Sequence, residues 1–418
     1  MHLTLMFLQL AVIVLVARLV GLAMRRWGQP QVVGEILTGI ALGPSLFGWL
    51  LPTWQHQLFP AATVDLLKGL SSIGLVLFMF LVGLELDVAQ IRKMRHKALS
   101  ISLGGLVLPL VLGVFAGVVL LDTPGFFPNN SNPWVGVLFL GVAMSVTAFP
   151  VLARILSEFR MTCSRLGGLA LASAAMDDAF AWMLLAGVLV LARGSTSGVL
   201  QMTVGLVVLL VFSFGVLKLL LAKWMQHLEG KGKQVYGLPV VLVLLFLYAA
   251  LTEALGLHFV LGAFVLGVVT PRGWMVKEWE EKMVPLTTHL LLPVFFVVSG
   301  LNTQMQLIQG WHSWLAAAGI VVLACAGKLL GCGYAAWRSG ETPAQALSVA
   351  GLMNARGLME LVVLNVGLQM GLIGPVLFSI MVLMAVVTTL MATPIFRLGL
   401  HLSRQEIGKV PARSAQSV

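Results

Sequence analysis

Two adjacent aspartates, Asp177 and Asp178, stand in a run of small and apolar residues, Ala172-Ser173-Ala174-Ala175-Met176-Asp177-Asp178-Ala179. Carboxylates in such company hold protons or cations, since no structural need calls for two of them side by side. Adjacent residues on a helix diverge by about 100°, so one aspartate can face a partner while the other faces a water-filled cavity. Lys328, in Ala324-Cys325-Ala326-Gly327-Lys328-Leu329-Leu330-Gly331, is the natural countercharge. A second set, Arg356 and Glu360, has i,i+4 spacing, and these two are able simply to satisfy each other. Ser145, Thr147 and Pro150 form a third group. Proline removes a backbone hydrogen bond and frees carbonyls. Freed carbonyls with the Thr147 hydroxyl are hard oxygen ligands, suited to a desolvated alkali cation.

The elements that must position these groups are membrane spans. Of 418 residues, 59% are hydrophobic and only 10% are charged, and the mean hydropathy is +0.99. A soluble domain carries about 25% charged residues. The composition excludes a soluble globular protein, a disordered chain and a collagen-like one. A bilayer-spanning helix needs roughly 20 apolar residues, and open sheets and irregular coil do not survive in lipid. Apolar stretches predict thirteen spans at about 3–24, 30–48, 63–86, 98–121, 134–156, 164–190, 199–222, 237–255, 257–270, 284–301, 313–337, 343–369 and 374–396. The ninth is short. No basic region or cleavage site precedes Leu3, so the first stretch reads as a span rather than a leader.

The charge of +10 has a loop pattern. Only Lys68 and Arg193 follow even-numbered spans, and only Arg18, Lys328 and Arg356 lie inside spans. All other lysines and arginines sit in or beside loops after odd-numbered spans, or in the tail. Such a split puts the N-terminus outside and the C-terminus in the cytoplasm, and it accounts for the basic balance without a nucleic-acid partner. Cys163, Cys325 and Cys332 form neither a disulfide framework nor a zinc spacing, and the eight histidines form no ligand pair. Glu35 and Glu253, near span ends, are expected to be solvated or interfacial.

The chain also repeats itself. Gly34 and Gly39 of span 2 recur as Gly262 and Gly267 of span 9, offset by 228 residues. Span 3 ends Phe80-Leu81-Val82-Gly83-Leu84 and span 10 ends Phe296-Val297-Val298-Ser299-Gly300-Leu301. Spans 5 and 12 are both interrupted, at Thr147-Ala148-Phe149-Pro150 and at Met353-Asn354-Ala355-Arg356-Gly357. Seven spans separate the copies, so they have opposite orientation. The expected fold is an all-α polytopic membrane protein of about thirteen transmembrane helices in two inverted repeats with crossed broken helices. Repeat one is 3–190, a linker helix is 199–222 and repeat two is 237–396. The membrane domain is 1–396 and a short cytoplasmic tail is 397–418. Inverted repeats with matching broken helices mark secondary transporters.

At these residues the sequence resembles a known family. Pro30-Gln31-Val32-Val33-Gly34-Glu35-Ile36, Gly39 and Leu42-Gly43-Pro44-Ser45 are similar to the opening motif of monovalent cation:proton antiporters of the second subfamily. The stretches Ser145 to Leu156, Leu291 to Phe296 and Met353 to Leu361 resemble plant and fungal cation/H+ exchangers of that group, over about 30–396. The resemblance implies a Na+/H+ antiporter-like fold, with a core of spans 4–6 and 11–13, a dimerisation face from spans 1–3 and 8–10, and an elevator-like motion. Asp-Asp, where plant and fungal relatives often carry Asn-Asp, resembles electrogenic bacterial Na+/H+ antiporters. Carried over, Asp178 binds the ion, with Thr147 as a further ligand, and Asp177 pairs with Lys328. Ser145, Arg356 and Glu360 support the path.

The function expected is exchange of Na+ or K+ for protons by alternating access, with no enzyme activity and no cofactor beyond the transported ions. Burial disfavours the charged form of a carboxyl, so proton and cation compete for one site. The expected setting is a homodimer among membrane lipids, in a bacterial inner membrane, the tail being shorter than the regulatory tail of plant members. A cation channel or ion-sensing protein on the same fold is the alternative. Flux that saturates and follows the opposing proton gradient separates transport from conduction. An intramembrane aspartyl protease is disfavoured, because its two carboxyls share a proton at about 3 Å and adjacent aspartates diverge. If Lys328 gives up a proton when the cation binds, two protons exchange per ion; if it is a structural tie, the ratio is one to one.

The charge pattern is testable by labelling. A cysteine placed in Asn129–Asn132 reacts with an impermeant thiol reagent from outside, and one near Lys231 only from inside. Labelling of both from one side, or the reverse pattern, overturns the span count.

Overall fold

A computed structural model of the chain describes residues 2–408 apart from 30, 86–87, 129–131, 163, 193–195, 231–236 and 256–258. Cys163, Lys231 and the loop positions 129–131 named above therefore lie outside the described residues. Among the described residues all regular structure is helical. Ten helices among the described residues are long and apolar enough to cross a membrane. They correspond to spans 1–4, 6–8, 10, 11 and 13. The three remaining spans are the ones marked by their sequence. Spans 5 and 12 are each two half-helices, Pro133–Ser145 with Phe149–Glu158 and Pro343–Met353 with Leu358–Gln369; span 9 is the short Phe259–Val269. This is a multi-pass membrane protein.

Several helices outrun their apolar stretches. Span 10 begins early, as Trp274–Leu286, and continues through a π turn at Thr287–Leu291 into Leu292–Leu301. Pro285 lacks the N–H that an α-helical turn needs, and the π turn follows it directly. The last helix, Pro375–Gly408, runs beyond residue 396, the expected end of the membrane domain, through the polar Arg397–Gly408 segment.

The chain divides into two compact units. The first comprises Met1–Val20, Glu35–Asp87 and Ala186–Thr303. In it Ala61–Glu85 packs on Phe259–Val269 and on Leu292–Leu301. Small residues let membrane helices approach backbone to backbone, and the repeated glycines are those points. A Cβ on Gly83 would run into Gly267 and the Phe264 carbonyl, and one on Gly39 into the Phe296 carbonyl. A Cβ on Gly300 would run into the Gly39 backbone. Gly39 matches Gly267 in the repeat and Gly83 matches Gly300, so the two contacts are reciprocal. Glu35, one turn before Gly39 on the same helical face, is buried at 5% relative exposure rather than solvated. The close approach at Gly39 brings that whole face inside. Glu253 is exposed, as expected.

The second unit comprises Gly21–Gly34, Val88–Leu185 and Gln304–Val418, and so collects spans 4–6 and 11–13. Val88–Val119 packs along Gly310–Arg338 and Pro133–Ser145, and Pro343–Met353 lies against Pro375–Gly408. The first of these contacts closes where Gly104 meets the Gly331 backbone. Asn132 caps Pro133–Ser145 by accepting from Trp134 N at 3.1 Å. Thr342 and Gln345 form a capping box on Pro343–Met353. An N-cap followed by proline is a strong helix start.

Residues that the charge pattern assigns to one side meet within each unit. Lys97 and Arg165, from loops after spans 3 and 5, both bond Glu341 after span 11, at 2.7 and 3.2 Å. Arg397 lies over the Phe159 ring at 5.3 Å. On the opposite side Gly374 N donates to Phe126 O at 2.7 Å. In the first unit Arg272 donates to Leu84 O at 3.1 Å, and Ser45 to Thr303 O at 2.7 Å.

The glycine contacts give a stability test. Overpacking a tight contact costs about 1–3 kcal/mol, so Gly300→Val lowers the thermal midpoint in detergent by several degrees. Gly319→Val, where a side chain meets nothing within 4 Å, leaves it near the wild-type value. Equal midpoints for both variants refute the close-packing role.

Candidate functional site

The site is built on the two interrupted spans of the second unit. Pro133–Ser145 stops because Val146 turns to extended backbone (φ −63°, ψ 138°). The chain resumes as Phe149–Glu158. Pro343–Met353 stops at Asn354, and Leu358–Gln369 follows Gly357. The interruptions cross: Ala148 N donates to Ala355 O at 3.0 Å, and Thr147 Oγ1 to Met353 O at 3.2 Å.

A helix that ends inside a membrane leaves carbonyls without partners and a partial negative charge. Two fully buried side-chain cations meet that end of Pro133–Ser145. Arg356 donates from Nη1 to Ala143 O at 3.3 Å and from Nη2 to Met144 O at 2.5 Å. Lys328 Nζ donates to Ser145 O at 2.5 Å, to Thr147 Oγ1 at 2.6 Å and to Asp177 Oδ2 at 2.8 Å. An ammonium has three donors, and all three are used. Gly105, beside this lysine, leaves room for Cys332: a Cβ there would collide with its Sγ.

Asp177 and Asp178 project from Arg165–Ala192, both buried. Asp177 is the ion-pair partner of Lys328. Asp178 is different. Neither of its carboxylate oxygens has a hydrogen-bond partner among the described residues. The Phe149 N–H, at the positive start of the second half-helix, turns its dipole toward this carboxylate without completing a bond. One aspartate is thus on the lysine, and the other is buried without a hydrogen-bond partner among the described residues.

Thr147 and the freed carbonyls do not stand as free cation ligands. The protein's own cations occupy them: Thr147 accepts from Lys328 and spends its proton on Met353 O, while the Ser145 hydroxyl turns back to Val142 O at 2.7 Å. Of the two expected ligands, Asp178 alone presents open oxygens. Arg356 and Glu360 do pair, at 3.2 Å and fully buried, but Arg356 divides itself between Glu360 and the half-helix end. Sequence reading passed over Thr388 and Thr389. Thr389 Oγ1 accepts from Arg356 N at 3.0 Å and bonds Arg356 O at 2.7 Å, and Asn354 Nδ2 donates to Thr388 O at 3.2 Å. Together they fix the second interruption. Two hydroxyls in mid-span were the available signal. Cys325 and Cys332 are buried free thiols. No cluster of three or more His, Cys, Asp or Glu suited to a metal occurs among the described residues.

Comparison with known proteins agrees with the resemblance seen in the motifs. A family model described as sodium/hydrogen exchanger, transmembrane, matches residues 11–398. The Na(+)/H(+) antiporter NhaS4 of Synechocystis sp. is 37% identical, over 94% of this chain and 96% of its own length. Cation/H(+) antiporter 15 of Arabidopsis thaliana is 36% identical over 94% of this chain and 48% of its own length, so the chain spans about half the length of that plant relative. Among solved structures, the sodium proton antiporter MjNhaP1 from Methanocaldococcus jannaschii shares the fold, with a TM-score of 0.67 at 17% identity, covering 96% of this chain and 99% of that one. By the extent of the family match and of the cyanobacterial likeness, this chain belongs to the transmembrane sodium/hydrogen exchanger family.

Proposed function

We propose that the protein is a secondary antiporter that exchanges a monovalent cation, Na+ or K+, for protons by alternating access, with Asp178 as the carboxylate for which the two compete. One observation carries this reading: a buried carboxylate with neither oxygen hydrogen-bonded, beside a carboxylate–ammonium pair that is already satisfied. A lone carboxylate in a membrane interior is expensive. A proton or a cation relieves that expense equally well, and both cannot bind at once. Loaded with either, the site is fit to change its exposure from one face to the other; empty, it is held back by its charge. That asymmetry couples the two fluxes without covalent chemistry. The relatives' names, Na(+)/H(+) and cation/H(+) antiporters, support the same class of exchange.

The charges of the site also bear on stoichiometry. Asp177, Asp178 and Glu360 face Lys328 and Arg356, all buried, which leaves one negative charge when every group is ionised. One proton or one monovalent cation at Asp178 cancels it. With three acceptors, Lys328 acts as a tie between Asp177 and the half-helix end, and the exchange is one for one. A homodimer in a bacterial inner membrane, with the N-terminus outside and the tail in the cytoplasm, is the setting proposed, and no resident cofactor takes part.

Asp178→Asn keeps size and cannot lose a proton. In proteoliposomes this variant folds but shows no cation-driven proton flux with Na+, K+, Li+ or Rb+; substantial flux removes Asp178 from the mechanism. Conductance that does not saturate in the wild type favours a channel instead.

Lys328→Gln strands Asp177 and uncaps Ser145 O. Breaking a buried pair costs about 3–5 kcal/mol, visible as a lowered thermal midpoint, and Asp177→Asn in the same chain recovers part of it. Wild-type exchange driven by Na+ is insensitive to a valinomycin-set potential. Sensitivity to that potential, lost in Lys328→Gln, means instead that Lys328 releases a proton and two exchange per ion.

A further inference from the structure

Glu360 is a third buried carboxylate of the site, and cation capture at Asp178 does not use it. It is fully buried on Leu358–Gln369. Its Oε1 accepts from Arg356 Nη1 at 3.2 Å, and Oε2 has no partner among the described residues. The pairing is one-sided on the arginine as well. Arg356 makes its shortest bond to Met144 O, shares Nη1 with Ala143 O, and leaves Nε unbonded. A fork-to-fork arginine–carboxylate pair would use two parallel bonds. Here a single bond holds the glutamate, because Nη2 is turned to the half-helix end.

Few other charges face this carboxylate. Lys328 acts on it from Gly310–Arg338, and Arg356 from the interruption itself. Pro133–Ser145 contributes only its carbonyl end, held by Arg356. Pro375–Gly408 brings Thr389, which bonds the Arg356 backbone, and no ionisable group among the described residues acts on Glu360 from that helix.

We propose that Glu360 is a second proton-binding site, separate from Asp178, whose protonation switches the exchanger off. The inference rests on the antiport reading above. Its logic is the charge balance of the site. With Glu360 ionised, one cation at Asp178 brings the five buried groups to neutrality. With a proton on Glu360, the same cation leaves an excess positive charge in the membrane interior, while the empty site is neutral. The loaded form then carries the penalty and the empty form does not, which inverts the condition that drives exchange. The free Oε2 is where that proton is received, and Arg356 remains seated on Met144 O and Ala143 O in either state. The exchanger therefore loses activity as the pH falls through the titration of Glu360, in addition to ordinary competition at Asp178.

Two measurements test this. Glu360→Gln has the charge of the protonated form at every pH. Its exchange at alkaline pH, with saturating Na+, falls roughly tenfold or more, as an uncompensated buried charge requires, and it no longer changes with pH as the wild type does. Glu360→Asp keeps the charge and retains a pH-dependent profile. Glu360→Gln exchange equal to wild type across the range overturns the proposal. The second measurement needs no transport. In Asp178→Asn protein, infrared difference spectra taken across a pH titration show a buried carboxylic acid band, and this band is missing from the Asp178→Asn/Glu360→Gln protein. Absence of a titrating band in the first, or its persistence in the second, also overturns it. Failure of antiport itself shows separately, as wild-type protein without cation-driven proton flux at any pH.

Discussion

The rest of the site depends on how the membrane interior treats an interrupted helix. Water is not there to bond a freed carbonyl, so each one must find a donor inside the protein. The end of Pro133–Ser145 presents Ala143, Met144 and Ser145 carbonyls together with a negative dipole end. Neutral donors would answer the hydrogen bonds and leave the dipole. Lys328 and Arg356 answer both. Once two full positive charges are buried for this purpose, carboxylates must accompany them, and Asp177 and Glu360 are those carboxylates. The acidic and basic residues of this site are thus consequences of a single helix end.

Asp178 stands outside that accounting, and its distinction follows from it. The structural cations are committed, with every donor of Lys328 accepted by three oxygens. What remains for Asp178 is the charge of Lys328 without a bond to it, and the weaker field of the Phe149 N–H at the start of the next half-helix. This stabilises a negative charge only in part, which leaves the carboxylate responsive to a proton or a cation. A stronger partner would turn Asp178 into another tie, and a wholly apolar wall would keep it permanently protonated.

Much of this was legible in the sequence because a membrane sorts residues strictly. Hydropathy gave the spans, the loop lysines and arginines gave their alternation, and the contacts of Lys97 and Arg165 with Glu341 agree with that sorting. The glycine matches of the repeat mark real backbone contacts, Gly39 with Gly300 and Gly83 with Gly267. Asp177 with Lys328 was readable because few charges are buried and opposite ones must meet. The roles of Thr147 and Arg356 were not. Both depend on one interruption crossing the other, with residues 143–148 brought against 353–356, more than two hundred positions away. Local pattern marks a break in a helix but not what is laid across it. Glu35 was misjudged for the same reason, since proximity to a span end says nothing of the helix packed over it.

The two interruptions are built alike and finished differently, and the difference is chemical. The first half-helices start at Asn132-Pro133 and Thr342-Pro343, 210 residues apart, and the same step carries Asp178 to Thr388. At one crossing the mid-span residues are aspartates; at the other they are threonines. A hydroxyl both donates and accepts, so Thr389 closes on the Arg356 backbone and Thr388 on Met384 O at 2.9 Å, and neither hydroxyl is left open. An ionised carboxylate only accepts. Without a donor at hand it cannot close on itself, and Asp178 stays unsatisfied by the protein alone. Were both crossings lined by carboxylates, the surplus negative charge would need two ions to cancel it; were both lined by hydroxyls, neither would compel a proton or cation to bind. One of each leaves a deficit of a single positive charge, localised at Asp178.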